Sequence, residues 1–391
     1  MSKRKAIEKS HIVDTRPPFE CIALLLQGGG ALGAYQGGVY EALYEAGIHP
    51  DWVAGISIGA INSAIIAGNA PEKRVAKLRE FWEGLTNNTL WDSMTDCEAK
   101  LIKGDASREF VDKMNAAIAM TFGVPGFFKP RAIWPWFGQS GSVEATSYYD
   151  TSGLKSTLER LVDFDRINAG ETILSVSAVN IKSGNFVYFD TRTHVIRPEH
   201  IMASGSLPPG FPGVEIDGEF YWDGGLVSNT PLQWVVDNRL RQDTLAFQVD
   251  LWCAEGDLPR NMAEVATRQK EILYSSRTRA ATDKFKHSQQ MRHMFANLYD
   301  QMPQELKNTH EAKALAAVCD RKVYNIIHLI YHAPGYEGDS KDYEFSRLTM
   351  EDHWKAGYNN TVRTLRHKEV LERPTNHEGV FTFDVNHQGH E

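Results

Sequence analysis

The chain has 391 residues, more than the roughly 100–200 of a usual domain, so one large α/β domain with an appendage, or two domains, is expected. Hydrophobic residues at 42% and charged residues at 24% exclude a disordered or membrane-embedded class, and a net charge of −8 offers no basic footprint for nucleic acid. Cys21, Cys97, Cys253 and Cys319 stand far apart without a C-x-x-C pair, so neither a zinc site nor a disulfide framework is written and a reducing compartment fits.

Residues 1–19 read as a polar leader ended by Pro17-Pro18. No long apolar stretch follows it, and no run approaches the ~18–20 apolar residues that cross a bilayer. A cytoplasmic protein with at most peripheral membrane contact is expected. The first strand is the apolar run 21–26, and a helix follows over 34–46, with Val39, Leu43 and Ala46 at helical spacing and Gly47 closing it. A second strand at 52–54 leads through Gly55-Ile56-Ser57-Ile58-Gly59 into a helix over 60–67. This strand, helix, strand, helix order predicts a mainly parallel α/β sheet flanked by helices. Strands at 172–179, 186–189 and 244–250 are expected to extend that sheet.

The segment 120–149 is crowded with aromatics, prolines and glycines and reads as a long excursion. Its Phe122, Phe127, Phe128, Trp134, Trp136 and Phe137 are candidates to wall an apolar substrate. Residues 251–391 read as a mostly helical extension: helices over 262–300 and 305–318, a strand at 323–331 and a helix from about 350. Thr349 and Asp352 sit at capping-box spacing there. Trp354, Tyr358, Val362 and Leu365 form one apolar stripe, which would dock on the main domain or on a second copy as a homo-oligomer. The basic residues Lys270, Arg277, Arg279, Lys284, Lys286 and Arg292 read as a solvated helix face.

Three motifs carry chemistry. Gly28-Gly29-Gly30-Ala31-Leu32-Gly33 fits the dinucleotide pattern G-x-G-x-x-G, but the second strand ends in Gly55 and Ser57 where a ribose-binding acid would stand. No cofactor and no metal are expected. Gly55-Ile56-Ser57-Ile58-Gly59 is a G-x-S-x-G set on a strand-to-helix turn, where glycines on both flanks leave room for a strained elbow and present Ser57 as a nucleophile. Adjacent parallel strands bring the two turns side by side, so the backbone N–H groups of the glycine run, Gly28, Gly29, Gly30 and Ala31, can bind the oxygen that turns negative when Ser57 attacks a carbonyl. The third motif is Asp223-Gly224-Gly225, followed by Asn229 and Pro231; alone, it would be an ordinary turn.

In this order and context the three motifs, with Ala203-Ser204 through Pro208, Phe211 and Pro212, resemble the patatin-like phospholipase family over about residues 20–250. The tail, with Tyr343-Glu344-Phe345-Ser346-Arg347, is similar to the extension of a bacterial subgroup. The resemblance implies a Ser57-Asp223 dyad in which Asp223 is the base, supported by Gly224 and Gly225. It implies acyl-ester hydrolysis of lipids without metal or cofactor. Leu32 stands where the family loop often carries Arg or Lys, so that cation's help to a phosphate head group or an oxyanion is missing. A free Asp near pKa 3.9 is a poor base for a serine, so burial is expected to raise Asp223. Acyl thioesters and hydroxyalkanoate oligoesters present the same carbonyl. Other readings are a triad completed by His328 or His332 and a non-catalytic scaffold with this fold.

Overall fold

The computed structural model describes residues 10–86, 104–237, 241–376 and 378–384, except for the side chains of 106 and 276–280. Cys97 lies outside the described residues; Cys21, Cys253 and Cys319 are free thiols. Strand β1 (Cys21–Leu26) is buried along its whole length. Its alternate residues serve two cores: Ile22, Leu24 and Leu26 on one face, Cys21, Ala23 and Leu25 on the other. A strand buried on both faces reads as a continuous apolar run, which is why the six residues show no alternation.

Helix α1 (Ala34–Glu45), strand β2 (Trp52–Gly55), helix α2 (Ile58–Ala67) and helix α3 (Pro71–Thr86) follow, then helix α4 (Asp105–Phe122). The excursion is a hairpin with a base of paired strands β3 (Lys129–Pro130) and β4 (Tyr149–Asp150). Helices α5 (Ser152–Leu161) and α6 (Phe164–Ala169) lead to β5 (Ile173–Asn180), β6 (Phe186–Asp190) and helix α7 (Pro198–Ser204). Strands β7 (Val214–Ile216) and β8 (Glu219–Asp223) are joined by Asp217-Gly218, both at positive φ, 51° and 86°. Asp-Gly suits that two-residue turn, and it was the local signal for a hairpin that the periodicity did not reveal. Helix α8 (Leu232–Val236) and strand β9 (Thr244–Asp250) complete the first part.

The sheet runs β11-β10-β9-β1-β2-β5-β8-β7, with β6 paired to β5. Neighbours from β11 to β5 are parallel, and the pairings of β5 with β6 and β8 and of β7 with β8 are antiparallel. Strands β10 (Tyr324–Ile330) and β11 (Val380–Asp384) lie in the region read as a helical extension. A boundary at 250 therefore falls between two neighbouring strands of one sheet. The helices of this region are α9 (Met262–Gln301), α10 (Gln304–Lys307), α11 (His310–Val318) and α12 (Arg347–Leu365). None of the helices among the described residues is long and apolar enough to cross a membrane.

Helix α12 starts earlier than its spacing suggested. Ser346 is the cap, its hydroxyl accepting from the Thr349 N–H. The expected stripe is largely covered within the chain: Trp354 is buried against α1, Leu365 is buried, Val362 is half-buried, and the Tyr358 hydroxyl donates to Glu45. Of the two placements expected for the stripe, the main domain or a second copy, the first is seen for Trp354 and Tyr358. Glycines set the close crossing, since a Cβ on Gly38 would lie 1.8 Å from the Trp354 carbonyl oxygen and one on Gly357 2.0 Å from that of Tyr35. The leader also packs in part, with Phe19 buried and the Val13 N–H donating to Ala46. Three basic residues of α9 are paired, Lys270 with Asp342, Lys286 with Glu378 and Arg292 with Asp237, while the side chains of Arg277 and Arg279 lie outside the described residues.

Candidate active site

Parallel register brings the ends of three strands together. Leu26 of β1 is opposite Gly55 of β2 and Val249 of β9, so the glycine run leaves the sheet beside the 55–59 turn. Ser57 adopts φ 56° and ψ −123°, a conformation that costs a non-glycine residue strain and that is typical of functional turns. Its N–H donates to the Ser204 hydroxyl at the end of α7, 3.1 Å away. The flanks are sterically required to be glycine: a Cβ on Gly55 would sit 2.2 Å from the Gly59 carbonyl oxygen, and one on Gly59 2.2 Å from that of Leu26.

Asp223 ends β8, where antiparallel pairing with β5 sets it opposite Ala178. It is buried, and the Ser57 side chain beside it lowers its pKa. The Gly225 N–H donates to Oδ1 at 2.7 Å. Burial pushes the carboxyl up to about 7, against the lowering by the neighbouring Ser57 side chain and the Gly225 N–H. Gly224 packs against Ser177, where a Cβ would lie 2.3 Å from Oγ.

The glycine run divides into held and free donors, which corrects the four-donor expectation. The Gly28 N–H is taken by Asn229 Oδ1 at 3.1 Å, and Asn229 Nδ2 returns a bond to the Gly28 carbonyl at 3.0 Å. The Ala31 N–H is taken by the Asp342 carbonyl at 2.8 Å. The N–H groups of Gly29 and Gly30 have no partner among the described residues. Leu32 is fully buried in the core.

A cavity of about 430 Å³ is lined by Ser57, Asp223 and Gly28, Gly29 and Gly30. The rest of its wall is mainly apolar, including Ile58, Ile61, Phe127, Phe128, Phe211 and Phe345. Of the six aromatics expected to wall a substrate, only Phe127 and Phe128 do so; Phe122, Trp134, Trp136 and Phe137 face solvent. The hairpin base folds inward because Phe127 and Phe128 pack on Phe211 and Phe345, while Trp134, Trp136 and Phe137 at its tip are exposed. No histidine lines the cavity among the described residues. His328 instead faces Asp250, Nδ1 to Oδ2 3.4 Å, and His332 stands outside the lining.

Sequence reasoning gave no role to several residues that shape the site. Asn229 was visible within the third motif, and Ser204 within the segment before it. Tyr343 and Phe345 also line the cavity and stood in the tail segment singled out above, whereas nothing in the local sequence of Asp342, Trp252 and Tyr274, which line it too, marks them.

A family model for patatin-like phospholipase matches residues 24–235, and one described as patatin phospholipase matches 272–377. Lysophospholipase NTE1 of Saccharomyces cerevisiae is 25% identical over 242 residues, covering 61% of this chain and 11% of that protein. Neuropathy target esterase sws of Drosophila melanogaster is 37% identical over 103 residues, covering 26% of this chain and 7% of that one. The chain therefore spans about a tenth of the curated relatives it matches. It also aligns with the crystal structure of VipD from Legionella pneumophila at 15% identity and a TM-score of 0.38, over 98% of this chain and 77% of the other. With more than half of its length matched by the first model, the chain belongs to the patatin-like phospholipase family.

Proposed function

We propose that the chain is a serine acyl hydrolase acting on lipid acyl esters through a Ser57-Asp223 dyad. The observation that carries this reading is that Ser57, on its strained turn, and a buried Asp223 face the same largely apolar cavity beside the glycine run. Burial that raises the carboxyl toward 7 makes it a competent acceptor for the serine proton near neutral pH. Ser57 Oγ attacks the ester carbonyl as its proton passes to Asp223, and the alcohol leaves with that proton. Water, deprotonated by the same carboxylate, then releases the acid from the acyl-serine.

The unpartnered N–H groups of Gly29 and Gly30 are the donors for the tetrahedral oxyanion. Gly28 and Ala31 hold the loop in shape through Asn229 and Asp342 and do not donate to the reaction. The apolar wall supports an acyl chain over a polar acyl group, in keeping with relatives named as lysophospholipases. Ser57→Ala and Asp223→Asn should each remove ester hydrolysis with the fold kept, and the double variant should be no worse, because nucleophile and base act as one unit. Retention of more than a few per cent of activity in Asp223→Asn would rule out the dyad.

A further inference from the structure

The hairpin of residues 120–149 has a buried base and an exposed tip. At the base, Phe128 and Tyr149 wall the cavity, and the N–H groups of Tyr148 and Tyr149 donate to Pro209 and Gly210 of the opposite wall at 3.1 and 2.9 Å. At the tip, Ile133, Trp134, Trp136 and Phe137 are 57%, 66%, 80% and 83% exposed. The tip is ordered by its own turn, with Phe137 and Gly138 donating to the carbonyls of Trp134 and Pro135 at 2.9 and 3.0 Å. Surface apolar residues usually occur singly, whereas here four stand within five positions.

Residues 132–143 contain no charged side chain. Arg131, at the root, is engaged by the Ser147 hydroxyl. Such a segment has no attraction for anionic head groups, and paired tryptophans on a preformed turn suit the boundary between lipid head groups and acyl chains. Three rings are too little for a stable contact between proteins, which needs about 800 Å² on each partner. The same strands that hold the tip also wall the cavity, so a tip seated in lipid would set the cavity against its source of acyl chains.

We propose that the tip 133–137 seats the protein on a zwitterionic phospholipid surface. The purpose of that contact rests on the hydrolase reading, but the contact itself does not, and it is measured on the Ser57→Ala chain. Full-length Ser57→Ala protein is sedimented with phosphatidylcholine vesicles, beside the same protein carrying Trp134→Ser, Trp136→Ser and Phe137→Ser. The parent should bind with a blue shift of tryptophan emission, and the triple substitution should lower partitioning at least about tenfold, because it removes most of the exposed ring area. With Ser57 restored, the triple variant should hydrolyse a short water-soluble ester as the parent does, which shows that the fold is kept. The proposal is overturned if the parent does not bind, if the triple variant binds equally, if binding needs anionic lipid, or if the substitutions instead dissociate an oligomer on size exclusion.

Discussion

Ala31 donates its N–H to the carbonyl of Asp342 at 2.8 Å, and a Cβ on the adjacent Gly30 would come within 2.0 Å of that same oxygen. The tail of the chain thus forms one side of the glycine loop. Lys270 holds this tail segment, its ammonium donating to the Asp339 carbonyl at 2.7 Å and to the Asp342 carboxylate at 2.9 Å.

Lys270→Met should release that segment and disturb the Gly29 and Gly30 donors. Loss of one oxyanion donor costs about 10²–10³ in rate, so a displaced loop should lower kcat on the order of tenfold or more with a smaller change in KM. Steady-state kinetics on a soluble ester, read as separate kcat and KM, checks it. An equal loss on KM alone would assign Lys270 to substrate binding.

The pH dependence follows from Asp223, whose carboxyl is pushed up to about 7 by burial. The base works deprotonated, so kcat/KM should rise with pH through an apparent pKa near 7 and level off above it. A rate profile from pH 5 to 9 tests the sign, and a limb near 4 would mean an unburied base.

Chain-length selectivity should reside in the hairpin base. Phe128→Ala widens the apolar wall, and each CH₂ that loses burial forfeits about 0.8 kcal/mol. The expected result is a larger drop in kcat/KM for long acyl esters than for acetyl esters, measured across a homologous series. Equal losses along the series would make Phe128 a packing residue only.

Stability should fall as the pH rises from 5 to 8. Burial raises Glu344 to about 7 and Asp112 to about 6, so the folded chain keeps protons that the unfolded chain releases near 4. That contribution is present at low pH and is lost as pH rises through the folded values. Glu344→Gln should lose less Tm over this interval than the parent, while keeping the Oε1 that accepts from the Ser346 N–H at 3.0 Å. Thermal unfolding at the two pH values gives the comparison.

Gly38→Ala should lower Tm by several degrees. The new methyl would collide with the Trp354 backbone, which cannot yield as a side chain does, and overpacking typically costs about 1–3 kcal/mol. Calorimetry or circular dichroism on the purified variant measures it.

Local chemistry made much of this protein legible in advance. The run 21–26, bounded by glycines, reads as a buried strand, and the glycines around Ser57 mark a strand-to-helix turn in which the backbone passes too close for side chains. These are short-range constraints, written wherever a few neighbouring residues must satisfy them. Which donors of the glycine run stay free was decided elsewhere, because Asn229 and Asp342 reach Gly28 and Ala31 only after the chain has folded back over itself. The same holds for the tail: β10 joins the sheet through backbone hydrogen bonds to β9 and β11 through bonds to β10, and that pairing depends on register between distant segments and not on any local pattern. The aromatic excursion shows the division within one segment, since composition marked its rings but only packing against Phe211 and Phe345 turned two of them inward and left the others in solvent.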